Sequence, residues 1–140
     1  MANDLTDLDT AIEASRQAVL GVINGNPSAI HALFSESDDV SLGNPFGPFV
    51  KGREAVLQTT ARAATRYQDG VLLPFELISR HQADGLAVVV ETEHVRAKLE
   101  GATQPSDLSL RVTSVYRQED SGWRLLHRHA DPITTPRTLT

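Results

Sequence analysis

The sequence predicts an α+β domain, with three helices ahead of a long, curled antiparallel sheet. Three observations predict it. Apolar residues recur at helical spacing as far as Tyr67, the period changes to two from Val71 onward, and the β-prone stretches after that change are joined by short turns. Each element has one apolar side to bury, so helices segregated ahead of a meander are expected to cover one face of it. Strands longer than the usual ~5–6 residues twist and curl, which encloses space between sheet and helices.

Leu5, Leu8, Ile12, Val19, Val22 and Ile23, with Ala11 and Ala18 filling in, predict a one-sided amphipathic helix that Asn24-Gly25 stops. Asn26-Pro27 supplies a cap and a first-turn proline for a short second helix, PSAIHALF, packed through Ile30, Leu33 and Phe34. In DVSLGNPFGPFVKG, two brief β-prone pieces flank a turn built on Pro and Gly. REAVLQTTARAATRY then puts Val56, Thr60, Ala63, Ala64 and Tyr67 on one stripe, a third helix expected to close at Gly70. Four strand candidates follow: VLLPFELISRHQ, GLAVVVETEHVRAKL, DLSLRVTSVYRQE and GWRLLHRHAD.

The 140 residues suit one domain, expected over residues 1–132, with 133–140 as a Pro-containing tail. Cysteine is absent, which removes disulfides, thiolate metal sites and cysteine nucleophiles, and leaves histidine, carboxylate and hydroxyl chemistry. The net charge is −5 and the 13 basic residues are scattered, so no nucleic-acid partner is expected. Apolar runs such as VLLPF and GLAVVV fall far short of the ~20 residues that span a membrane, and no membrane partner is expected. MANDLTDLDT is acidic and lacks the apolar centre of a signal peptide, which makes a cytoplasmic location the expectation.

Alternation sorts the polar residues of the last three strands. Glu91 and Glu93 share one side of their strand, opposite Thr92, His94 and Arg96. Arg111 and Thr113 alternate with Val112 and Ser114, and Trp123, Leu125, His127, His129 and Asp131 alternate with Arg124, Leu126, Arg128 and Ala130. Trp and Leu prefer the core while arginines prefer water, so the Trp123 side, with its histidines, is expected to face the hollow. A bulge would reverse that locally. The expected constellation is therefore Glu91, Glu93, Arg111, Thr113, His127, His129 and Asp131 on one face of three neighbouring strands.

Three readings suit that cluster. Two imidazoles and a carboxylate are the donor types of a zinc or 2-His-1-carboxylate site, yet spacing sets no third ligand and Arg111 would repel a cation, so no metal is assigned. In an acid/base reading without cofactor, His127 or His129 moves the proton, Glu91 or Glu93 orients it, and Arg111 polarises a substrate oxygen. In a structural reading the same groups satisfy one another and hold strand register or pair two copies. Asn44, Thr113, Tyr116, Trp123 and Asp131 are candidates for ligand contact. His31 and His81 read as surface groups, the serines lack a nucleophile-elbow context, and no glycine loop matches a phosphate cradle.

NPFGPFVKG before the third helix, ETE in the second long strand, and R-V-T followed by GW and H-R-H resemble the nuclear-transport-factor-2-like (NTF2-like) superfamily. The likeness is greatest to its SnoaL-like and ketosteroid-isomerase-like bacterial members and covers about residues 5 to 132. The resemblance implies a cone open at one end, a pocket for a small, largely hydrophobic oxygenated molecule, and homodimers formed through the sheet. Enzymes of the superfamily place an aspartate base and a tyrosine or second acid in the cone; Tyr116 and Asp131 are the candidates here by residue type. Kinase-association domains of the superfamily carry a similar GW…H-x-H ending and are assembly modules. The resemblance thus implies either isomerase- or hydratase-like chemistry or a non-enzymatic binding or assembly role.

Overall fold

A computed structural model describes residues 5–138. The first four residues, part of the N-terminus read as carrying no signal peptide, and the last two of the tail lie outside the described residues. The chain runs α1 (Leu8–Val22), α2 (Ser28–Leu33), β1 (Ser41–Gly43), β2 (Val50–Lys51), α3 (Arg53–Ala64), β3 (Tyr67–Leu72), β4 (Glu76–Ala83), β5 (Leu86–Leu99), β6 (Ser106–Glu119) and β7 (Gly122–Asp131). It is an α+β fold in which the helices pack on one face of a curved, mostly antiparallel sheet.

α1 starts three residues later than its apolar spacing suggests. Asp7 caps it by accepting from the Thr10 amide at 2.7 Å, and Leu5 lies ahead of the cap, its carbonyl taking the Trp123 amide at 2.8 Å. That contact fixes Gly122: its φ is +112° and a Cβ would sit 2.7 Å from the Leu5 oxygen. At the other end Asn24 stops the helix as expected. Its side chain donates to Leu20 O and Gly70 O, both at 2.9 Å, and accepts from the Gly70 amide, tying the helix end to β3.

Gly70 therefore does not close α3, which ends at Ala64; it lies within β3, where a Cβ would meet Ile23 Cγ1 at 2.3 Å. Close helix-to-strand approach, not helix termination, explains this glycine. The first long β candidate also divides. Leu73, Pro74 and Phe75 separate β3 from β4, and both strands pair with the 14-residue β5, because proline cannot donate to a ladder.

The main sheet path is β2-β1-β7-β6-β5-β3, with β4 also on β5. The expected NPFGP hairpin forms, β1 pairing antiparallel with β2 and parallel with β7. The largest core cluster joins α1 and α2 to Val40, Leu42, Ala87, Val89, Tyr116, Trp123 and Leu125; a second gathers Val19, Ile23, Val95 and Ala97. The space between these clusters, under the helices, holds the pocket. Among the described residues no helix is long and apolar enough to cross a membrane.

Candidate functional site

One extra residue decides which side chains enter the hollow. β6 and β7 pair regularly from Arg111↔Asp131 to Val115↔His127, but the next pair is Tyr116↔Leu125, so Leu126 is a bulge. Trp123 and Leu125 face the helices as expected. Beyond the bulge the alternation is inverted, and Arg128 and Ala130 point inward, both buried, while His127, His129 and Asp131 project from the opposite face. Two expectations are corrected together. The histidines do not follow Trp123 into the hollow, and Arg111 and Thr113 do not join the glutamates. Thr92 pairs with Arg111 and Glu91 with Val112, so Arg111 and Thr113 share the outer face with Thr92. Alternation within a strand says nothing about register between strands.

On the inner face a narrow pocket, with about 90 Å³ open to the centre of a water-sized sphere, is walled by Val19 and Val22 of α1, Ile30 of α2, Ala63 of α3, Leu42, Val95 and Leu110. Glu93 and Arg128 line it together. The Arg128 side chain crosses over β6, and its Nη1 and Nη2 donate to Glu93 Oε2 and Oε1 at 2.7 and 2.8 Å, a two-pronged pair with Glu93 3% exposed. Burial is the largest single influence on Arg128 and pulls its pKa down; the Glu93 charge and hydrogen bonds outweigh it, so the net direction is upward and the guanidinium stays charged.

A second inward carboxylate, Glu91, lies on the same strand outside the pocket lining. Arg16 of α1 donates through Nη2 to Glu91 Oε2 at 2.7 Å and stacks over the Phe75 ring at 5.8 Å, while its buried Nε has no partner among the described residues. Tyr116, 1% exposed, hydrogen-bonds Ser15 and Ser114; burial pushes its phenol pKa up, so it stays protonated. At the pocket itself Tyr67 is likewise raised by burial, with Arg66 and Arg128 opposing the rise. Phe46, 60% exposed, stands at the mouth with the Arg66 guanidinium 5.6 Å over its ring, and Asn44 lines the wall beside it.

The outer face carries the histidines. Ser41 Oγ and His127 Nδ1 lie 2.7 Å apart, and Phe49 stacks near both imidazoles, its ring centre 5.3 Å from that of His129. Burial and the neighbouring His129 lower the His127 pKa, which keeps that ring neutral near pH 7. Arg111 Nε and Nη2 donate to Asp131 at 2.8 and 2.9 Å and hold that carboxyl below the usual range. His94 Nδ1 and Ser109 Oγ, on the same face, are 2.7 Å apart.

The sequence-derived candidates therefore separate into three groups. Asn44 and Glu93 line the pocket; Glu91, Tyr116 and Trp123 face inward and are buried but do not line it; Arg111, Thr113, His127, His129 and Asp131 are on the far side of the sheet. Sequence reasoning missed Arg128, Arg16, Tyr67 and Phe46. Arg16 was recoverable: it falls four residues after Ile12 and three before Val19, on the buried stripe of α1.

The SnoaL-like domain profile matches residues 12–134, nearly the whole chain. The chain belongs to the SnoaL-like family. Solved structures similar to this SnoaL-like chain include a ketosteroid isomerase-like protein from Erwinia carotovora, with TM-score 0.74, 15% identity, and 96% of this chain and 100% of that one covered. A candidate calcium/calmodulin-dependent protein kinase type II association domain from Thiobacillus denitrificans reaches TM-score 0.76 at 20% identity, covering 95% and 100%. A candidate scytalone dehydratase from Novosphingobium aromaticivorans matches at TM-score 0.72 and 15% identity, covering 91% and 93%. These likenesses show the NTF2-like fold, which isomerases and dehydratases share. No curated protein matches the sequence significantly.

In this SnoaL-like chain the chemistry available inside is that of a carboxylate–guanidinium pair, a phenol, an amide and a hydroxyl set in aliphatic walls. Glu93 has both oxygens engaged by Arg128, which weakens it as a base. The His127 and His129 imidazoles are separated from that space by the sheet itself, while His31 of α2 reaches the Thr60 hydroxyl of the pocket wall, its Nε2 2.7 Å from Oγ1.

Proposed function

We propose that this SnoaL-like protein binds a small, largely apolar molecule in the inner pocket, with an oxygen of the ligand meeting the Glu93–Arg128 pair. The observation that carries the reading is one buried ion pair in a mainly apolar pocket whose other polar groups are uncharged, the usual composition of a small-molecule site. Binding is favoured over proton transfer, because Glu93 is occupied by Arg128, His127 and His129 lie on the outer face, and no histidine among the described residues lines the pocket. The test uses N-phenyl-1-naphthylamine, a neutral fluorescent probe. Saturable enhancement at one probe per chain is expected, and Leu110→Trp, which fills the pocket from the position directly across from Glu93, is expected to abolish it while leaving the circular dichroism spectrum unchanged. Undiminished binding in Leu110→Trp would refute the pocket reading.

A second reading concerns the outer face, for which we infer pairing with another copy of the chain. Val88, Val90, Val115 and Leu126 are half-buried there with no helix over them, and Leu86 and Phe49 are exposed. Two of its arginines are matched within the chain, Arg111 with Asp131 and Arg96 with Asp107, which limits repulsion when two such faces meet. Sedimentation equilibrium of the wild type and Val90→Lys tests this: a dimer converted to monomer is expected, and a monomeric wild type at high concentration would end the reading.

A further inference from the structure

The pocket's charge balance narrows the ligand class; this inference rests on the pocket reading above. We propose that the pocket selects uncharged molecules bearing a hydroxyl or amide-like group, and discriminates against carboxylates and ammonium ions.

Of the described residues that line the pocket, Glu93 and Arg128 are the only charged ones, and they neutralise each other through two short hydrogen bonds. The other inward carboxylate of β5, Glu91, is matched in turn by Arg16. An ionic ligand would therefore shed its water to enter aliphatic walls and find its counter-charge already taken. A ligand carboxylate drawn to Arg128 would also be brought up to Glu93, and an ammonium drawn to Glu93 would be brought up to Arg128. Arg66 does not change this balance: it is exposed to solvent at the mouth and held on the Phe46 ring.

A neutral group with both a donor and an acceptor fits the floor better. The pair uses two of the five guanidinium N–H groups and two of about four carboxylate lone-pair positions, so Arg128 retains donors and Glu93 retains acceptors. A hydroxyl that accepts from one and donates to the other leaves no buried charge uncompensated. Tyr67 and Asn44, also lining the pocket, add polar contacts that carry no charge.

The experiment compares four probes on one ring system by titration calorimetry and ligand-observed magnetic resonance at pH 7.5: naphthalene, 2-naphthol, 2-naphthoate and 2-naphthylmethylammonium. The wild-type protein is expected to bind 2-naphthol at least tenfold more tightly than either ion, and more tightly than naphthalene. Replacing the pair by aliphatic groups, Glu93→Leu with Arg128→Met, is expected to erase the preference for 2-naphthol over naphthalene while both still bind. If 2-naphthoate or the ammonium binds as tightly as 2-naphthol, charge selection is overturned and the pocket reading stands. If none of the four binds, or if Leu110→Trp leaves binding intact, the pocket reading fails and takes the inference with it. A preference for 2-naphthol that survives in the double variant overturns the role given to the pair.

Discussion

The sheet carries two arginine–carboxylate forks of nearly the same shape on its opposite faces. Arg128 grips Glu93 at 2.7 and 2.8 Å on the inner face, and Arg111 grips Asp131 at 2.8 and 2.9 Å on the outer. Their surroundings differ. The Arg128 and Glu93 side chains are 11% and 4% exposed, whereas the Arg111 side chain is 57% exposed. Water screens the outer fork and can replace either partner, while the inner fork has neither help nor competition from solvent. Equal geometry therefore carries unequal consequences, and of the two pairs only the inner one lines the pocket.

Breaking the inner fork tests that contrast hardest. Arg128→Ala leaves the Glu93 carboxylate buried without a partner, and a loss of about 3–5 kcal/mol in urea unfolding is expected. The double change Glu93→Leu with Arg128→Met is expected to return stability close to wild type or above it, because no charge then remains to be compensated. The Arg16–Glu91 pair is intermediate, Arg16 being 32% exposed and Glu91 8%. Arg16→Ala is expected to cost about 1–3 kcal/mol in the same measurement. Arg111→Ala is expected to leave the urea midpoint unresolved from wild type.

A small effect is expected in the pH dependence contributed by the outer face. Burial and His129 lower the His127 pKa in the folded protein, so the unfolded chain binds the proton more readily. The contribution is fully present above the ordinary histidine value of about 6.5 and is lost as pH falls from there through the lowered folded value. Thermal melts between pH 7.5 and 5 are expected to show that decline, and His127→Gln to flatten it. A decline of equal size in His127→Gln would assign it to other groups.

Much of the fold was legible in the sequence because it depends on local periodicity. The buried stripe of α3, Val56, Thr60 and Ala64, and the inward run Val89, Glu91, Glu93 and Val95 of β5 follow directly from their spacings. The Asn24-Gly25 stop and the NPFGP hairpin follow from turn chemistry. The candidate site was legible only in part. Glu93 and Asn44 were found, but Arg128 was assigned to water because arginines usually lie there, and a buried partner two strands away is invisible to such a rule.

The sequence by itself determined the order of helices and strands, the apolar walls, and the set of polar groups that the sheet would carry. Only the tertiary structure decided which of those groups see the pocket. In a strand the side chains alternate with period two, so the single additional residue at Leu126 exchanges the faces of everything after it. The pairing that shows this bulge is made with β6, and a local reading of β7 contains no trace of it.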